Sequence, residues 1–265
     1  MQNENGVPRP STSSGRAFSP VLREVGFSIE RSRRGCLAER SSAVLSWRTT
    51  WLLTIALLCA ASAWAAEPAT VTFSLDFPNS VPDRYTISVA SDGKAHYSCT
   101  AKISDQSDDR DNYSSDFTVS DAARARIFEL ASQAHYFSGK VDSGNRKLAF
   151  TGNKKLIYAD GQRHNSADYN YSLVPAVEQL TTLFQNMAAT LEFGRHITYE
   201  HRYQKLALDD ELKNMEDAAR SGSLAELQAV KPILQKVYDD PSVMNVARSR
   251  ALRIMDLGDM ASGAH

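Results

Sequence analysis

From Thr70 the chain reads as sheet. Thr70-Val-Thr-Phe-Ser-Leu-Asp-Phe77 alternates apolar and polar with period two, so Val71, Phe73, Leu75 and Phe77 share one face of a predicted strand. Pro78 and Pro82 punctuate its end. Two more alternating runs, Tyr85 to Val89 and Lys94 to Cys99, flank Asp92-Gly93. That step predicts a hairpin, because both turn residues take positive φ at low cost. The polar stretch Ser104 to Asp116 reads as a loop, and Phe117-Thr-Val119 as a short strand. Ser120-Asp121 then opens a predicted helix on which Ile127, Leu130, Ala131 and Ala134 fall at helical spacing, ending near His135. Lys147 to Phe150, a turn at Gly152-Asn153, Lys155 to Tyr158 and a second Asp-Gly at 160 and 161 lead towards Ala167 to Tyr171 and complete a predicted meander.

At Pro175 the period changes to 3.6. Val177, Leu180, Leu183, Phe184 and Met187 make an apolar stripe on a helix reaching about Phe193, with Gly194 placed to end it. A second helical region, His196 to Arg220, aligns Leu208, Leu212, Met215 and Ala219. Ser223-Leu-Ala-Glu226 has the form of a capping box. The helix it would open carries Leu227, Val230, Leu234 and Val237, with Pro232 inside the seam and expected to kink it. Asp240-Pro241 is read as the start of a last helix bearing Val243, Ala247, Ile254 and Leu257. The pattern predicts an α+β protein: an antiparallel or mixed sheet with packed helices over residues 66–193, then a C-terminal helical bundle over 194–265.

Upstream the chemistry changes. Trp51 to Ala66 is apolar throughout, follows Arg48 and closes on Ala63-Trp64-Ala65, the small-x-small pattern of an export signal cleaved near Ala65. Its length falls short of the roughly 20 apolar residues that a spanning helix uses. A retained single-pass anchor is the alternative, and would be the chain's one link to a membrane. Residues 1–50 read as a disordered Arg-rich tail, or as a stretch before a true start near Val44 or Leu45. Of 30 basic and 31 acidic residues, eight and four fall in that tail, leaving 22 and 27 for the rest. A mature part with more carboxylates than cations argues against nucleic acid as a partner. Three cysteines divide as Cys36 in the tail, Cys59 in the signal and Cys99 alone beyond it, so no internal disulfide is available after cleavage.

Two stretches resemble known architecture. Tyr85-Thr-Ile-Ser-Val-Ala-Ser-Asp-Gly-Lys-Ala-His-Tyr97, followed by Phe117-Thr-Val-Ser and its helix, resembles a type of bacterial exported domain of unestablished function. That resemblance spans about residues 70 to 190, implies an α+β fold and export, and brings no catalytic residue with it. Asp240 to Leu252 is similar to the second helix of a HEAT-type repeat, and one unit alone makes no solenoid.

Candidate chemistry is sparse. His196 and His201 stand five apart, about 140° round a helix, so they do not converge on a metal; His196 and Glu200 share a face but make only two ligands. Asp105, Asp108, Asp109 and Asp111, with Asp116, offer carboxylates to calcium, yet lack the EF-hand spacing and enclose Arg110, so a solvated loop is the plainer reading. There is no G-x-S-x-G, and His96, His135 and His164 are scattered through the sheet half. Tyr85, Tyr97, Tyr158, Tyr169 and Tyr171 lie on predicted strands, where they form either a contact surface or ordinary strand content. No cofactor is implied. The leading expectation is an exported, non-enzymatic module that binds a protein or a small ligand. A hydrolase assembled from dispersed His, Asp and Glu residues and a calcium-stabilised domain are the alternatives.

Overall fold

The computed structural model describes residues 67–263 apart from 79, 103–109 and 146. The tail, the apolar segment and Asp105, Asp108 and Asp109 lie outside the described residues. Six strands make one antiparallel sheet: β1 (Thr70–Asp76), β2 (Arg84–Ala90), β3 (Lys94–Lys102), β4 (Arg110–Thr118), β5 (Asn153–Ala159) and β6 (His164–Tyr169), in the order β4-β3-β2-β1-β5-β6. β1 to β4 form a meander. β5 and β6 form a hairpin that returns to pair with the free side of β1, with Phe73 opposite Leu156. Both Asp-Gly turns close hairpins, between β2 and β3 and between β5 and β6.

Alternation decides which face is covered. Val71, Phe73, Leu75, Tyr85, Ile87, Val89, Tyr97 and Leu156 are buried on one side, against α1 (Asp121–Gln133) and α2 (Pro175–Tyr203). The rings of Phe73 and Phe184 stack at 5.5 Å across that layer. The opposite face carries the short hydroxyl side chains of Thr72, Ser74, Thr86, Ser88, Ser98 and Thr100, half-buried among themselves. α3 (Leu208–Arg220), α4 (Lys231–Asp239) and α5 (Asn245–Gly263) pack on one another and on α2, with Leu208, Leu212, Met215, Leu234, Val237, Ala247 and Ile254 inside. The α+β architecture with a packed helical C-terminal region is as the sequence predicts.

Several local expectations change, each for a visible reason. β4 begins within the polar stretch read as a loop. It is an edge strand, and charged side chains suit an edge because they blunt pairing with other chains. Lys147 to Phe150 is no strand; Leu148 and Phe150 stand exposed in a loop before β5. β6 ends at Tyr169, short of Tyr171.

Gly194 does not stop α2, which runs on to Tyr203. The glycine is there for a close helix approach: a Cβ would sit 2.6 Å from Val230 Cγ1. The chain then breaks at Gln204 to Ala207, so the region read as one helix from His196 to Arg220 is the end of α2 plus α3. Ser223 opens no helix. Glu226 is left-handed instead (φ 60°) and precedes a 3-10 turn, Leu227–Ala229. Pro232 falls in the first turn of α4, where its missing N–H costs nothing, so it starts that helix and does not kink it. Asp240 accepts the Ser242 amide at 2.9 Å in a turn that precedes α5.

Candidate functional site

The most chemically loaded cluster joins β3 to α2 and α3. Period two puts Tyr97 and Cys99 side by side on the core face of β3, beneath Glu192 of α2. The Tyr97 hydroxyl donates to Glu192 Oε1 at 2.6 Å, and the Cys99 thiol lies 3.3 Å from the same oxygen. Arg195 Nε and Nη2 hold the other oxygen at 3.0 and 2.7 Å. His196 Nδ1 meets Glu211 Oε1 of α3 at 3.1 Å, and that carboxylate holds the imidazole pKa above its usual range. Burial, helped by the Glu192 charge, pushes the Cys99 thiol up to about 12. A thiol held protonated in this way is a poor nucleophile. The cluster is a closed clamp between sheet and helices.

The other metal and catalytic candidates do not assemble. His201 Nε2 bonds Asp240 Oδ2 at 2.8 Å, away from His196, and Lys205 Nζ joins the same oxygen at 2.6 Å. Asp111 is an exposed residue of β4, whose carboxylate accepts the Asn112 amide at 2.8 Å. Among the described residues no group of three or more His, Cys, Asp or Glu is placed to hold a metal ion. On the open sheet face, Ser88, His96 and Asp116 fall in one cross-strand row bordering a shallow cleft of about 640 Å³. His96 Nδ1 lies 2.6 Å from Asp116 Oδ1, but the Asp116 side chain is 88 % exposed. Acyl-transfer chemistry uses a desolvated carboxylate to orient its histidine, and this row lacks one. A larger cleft of about 790 Å³ lies beside the start of α1. The amide and hydroxyl of Ser120, the cap of that helix, already donate to the Glu226 carboxylate at 2.6 and 2.8 Å, so the cleft's anion seat is filled from within.

The tyrosines separate. Tyr85, Tyr97, Tyr158 and Tyr169 are buried and build the core, so they form no contact surface; their alternation points them under the helices. Tyr85 and Tyr97 pack with Phe73 in a chain of tilted rings, and Tyr169 bonds Thr181 of α2. Only Tyr171, past the end of β6, is exposed, and it belongs to a different feature.

At one end of the sheet three loops come together: residues 77–83, 138–152 and 170–174. They carry Val81, Leu148, Phe150, Tyr171 and Leu173, all between 40 and 73 % exposed. Phe77 and Phe150 meet edge to face at 5.9 Å, linking the first loop to the second. Asn170 ties the second to the third: its side chain accepts the Thr151 amide at 2.9 Å and donates to the Ala149 carbonyl at 3.0 Å. Beneath them Lys154, only 6 % exposed, donates to Thr151 Oγ1 at 2.7 Å and to the Asn170 carbonyl at 2.8 Å. Burial pushes its ammonium below the usual lysine range. Asp142 accepts the Gly144 and Asn170 amides at 2.7 and 3.1 Å, and those N–H groups hold its carboxyl below the usual value. The loops are thus pinned from below while their apolar side chains face out.

Sequence reading overlooked this surface because each loop contributes one or two residues, with no period to betray them. The run Lys147-Leu-Ala-Phe150 was the available signal, an apolar stretch too short and too close to Gly152 to pair as a strand. Comparison with protein-family models finds no match to this chain, and comparison with curated proteins finds none.

Proposed function

We propose that this is an exported, non-enzymatic binding protein whose contact surface is the three-loop end of the sheet. One observation carries the reading: five large apolar side chains stand exposed on three loops at one end of the sheet, and those loops are tied to one another. Exposed apolar residues scattered singly are ordinary, whereas several on loops tied together at one end of a sheet support an interaction surface. The chemistry elsewhere supports the same view, since Cys99, Glu192 and His196 are committed to internal partners. Export is supported by the pattern from Trp51 to Ala66. Among the described residues no helix is long and apolar enough to cross a membrane.

The test is site-specific photocrosslinking in the native host, with a benzophenone side chain at Leu173 or, as control, at Asp92 at the opposite end of the sheet. A crosslinked species from position 173 and none from 92 supports the reading. Equal labelling, or none at either position, overturns it. The N-terminal residue of the recovered protein tests export in the same preparation, with Ala66 expected.

A further inference from the structure

We infer that β6 pairs with β6 of a second copy of this chain, antiparallel about a two-fold axis at Ser166, so that two sheets join edge to edge.

β6 is the outer strand of the sheet on the β5 side. Antiparallel pairing turns the main-chain groups of alternate residues the same way. The Asp160 amide donates to the Arg163 carbonyl at 2.9 Å and closes the β5–β6 hairpin, and the register puts Asn165 and Ala167 in phase with Arg163. Those residues face β5, so the amides and carbonyls of His164, Ser166 and Asp168 face outward. Among the described residues no segment pairs with that side until Asp142 meets Ser172. An uncovered row of this kind is a template for another strand.

The side chains select the partner. His164, Ser166 and Asp168 are exposed, on the face that the helices leave open. A two-fold axis at Ser166 sets that serine against its own copy and each His164 against Asp168 of the other. Both ends of the pairing then bring an imidazole N–H to a carboxylate. Asp168 meets Lys155 at 3.6 Å on its other side, a loose contact that leaves an oxygen for the histidine. The inward side chains, Asn165 and Ala167, carry no charge. The opposite edge differs. β4 turns Asp111 inward beside Tyr113 and Phe117, and an inward carboxylate blunts an edge. Its Arg110 and Asp116 are already held by Asp83 and His96. The β6 contact runs only from His164 to Asp168 of each copy, so the dimer is weak and reversible. Its two-fold leaves the three-loop ends at opposite ends of the joined sheet, and the pairing stands apart from the contact surface proposed there.

The experiment uses the full chain in cells of the native host, with Cys36 and Cys59 replaced by Ser; Cys99 is buried. Ser166→Cys is added on β6 or, as control, Ser114→Cys in the middle of β4, and the cells are treated with a mild oxidant. Directly opposed residues of such a pair stand about 5.5 Å apart at Cα, within reach of a disulfide. A disulfide-linked dimer of this chain from position 166, and none from 114, is the expected result by mass. Adding His164→Asp to Ser166→Cys opposes carboxylates at both ends of the pairing and should lower the dimer yield about tenfold, and Asp168→His on top of it should restore the yield. No dimer at 166, equal yields at the two edges, or a yield indifferent to the charge reversal overturns the pairing. A disulfide from position 166 to a different protein assigns the edge to that partner and overturns the second copy.

Discussion

The two ends of the sheet are built on opposite plans. At one end the hairpins close over Asp92-Gly93 and Asp160-Gly161, with short polar turns that carry their own hydrogen bonds. Asp92 accepts the Lys94 amide at 3.0 Å, and Asp160 accepts the Gln162 amide at 2.8 Å. At the other end the connections are longer, cross from loop to loop, and need a buried ammonium to hold them. The first plan minimises ordered chain. The second expends conformational entropy to display apolar side chains to water, which folding alone does not favour. Where a fold departs from the economical plan, a partner surface is the natural place to look.

One glycine at each end gives the sharpest contrast. Gly152 has φ +99°, and a Cβ there would meet Leu75 Cδ1 and Phe77 Cβ at 2.8 Å, so Gly152→Ala adds a steric clash to backbone strain. About 3 kcal/mol of lost stability is expected in urea unfolding. Lys154→Met should cost about 2 kcal/mol, because the Thr151 and Asn170 acceptors lose their donor. Hydrogen exchange should quicken in the three loops before it does at the turns. Gly93 has φ +89°, but a Cβ there meets nothing nearer than 3.7 Å. Gly93→Ala therefore pays for backbone strain alone, about 1 kcal/mol by the same unfolding assay.

Acid should treat the two ends alike. Backbone N–H groups hold the Asp142 and Asp160 carboxyls below the ordinary value of 3.8. The folded state thus favours their charged forms, so the stability they contribute is present above 3.8 and is lost as pH falls through the lower folded values. Carboxyl titration by NMR should place both below 3.8; an ordinary value at either site would remove the shared device. The smallest effect on stability is expected from Leu173→Ser, within about 0.5 kcal/mol, since that side chain is 73 % exposed. A larger loss would mean that the tip is part of the core.

Most of the sheet was legible from alternation, because Val71, Phe73, Ile87 and Tyr97 lie on a face covered by helices. Both hairpins were legible from two dipeptides. What escaped was decided by distant partners. Gly194 has the local mark of a helix end, and only Val230 across the helix pair explains why the helix continues. Ser223 and Glu226 match a capping pattern, yet that carboxylate serves a serine 106 positions away in sequence. The tyrosines were visible as strand residues, but alternation alone does not say which face the helices cover. The apolar tip was the least legible, being assembled from three loops.

The Glu226 contact has a consequence for the order in which the molecule matures. A nascent chain emerging from its N-terminus presents the start of α1 a hundred residues before the carboxylate that completes its cap. The late arrival of Glu226, held in a left-handed conformation, locks early and late parts of the chain together. A chain released before that point would lack the acceptor for the Ser120 amide and hydroxyl.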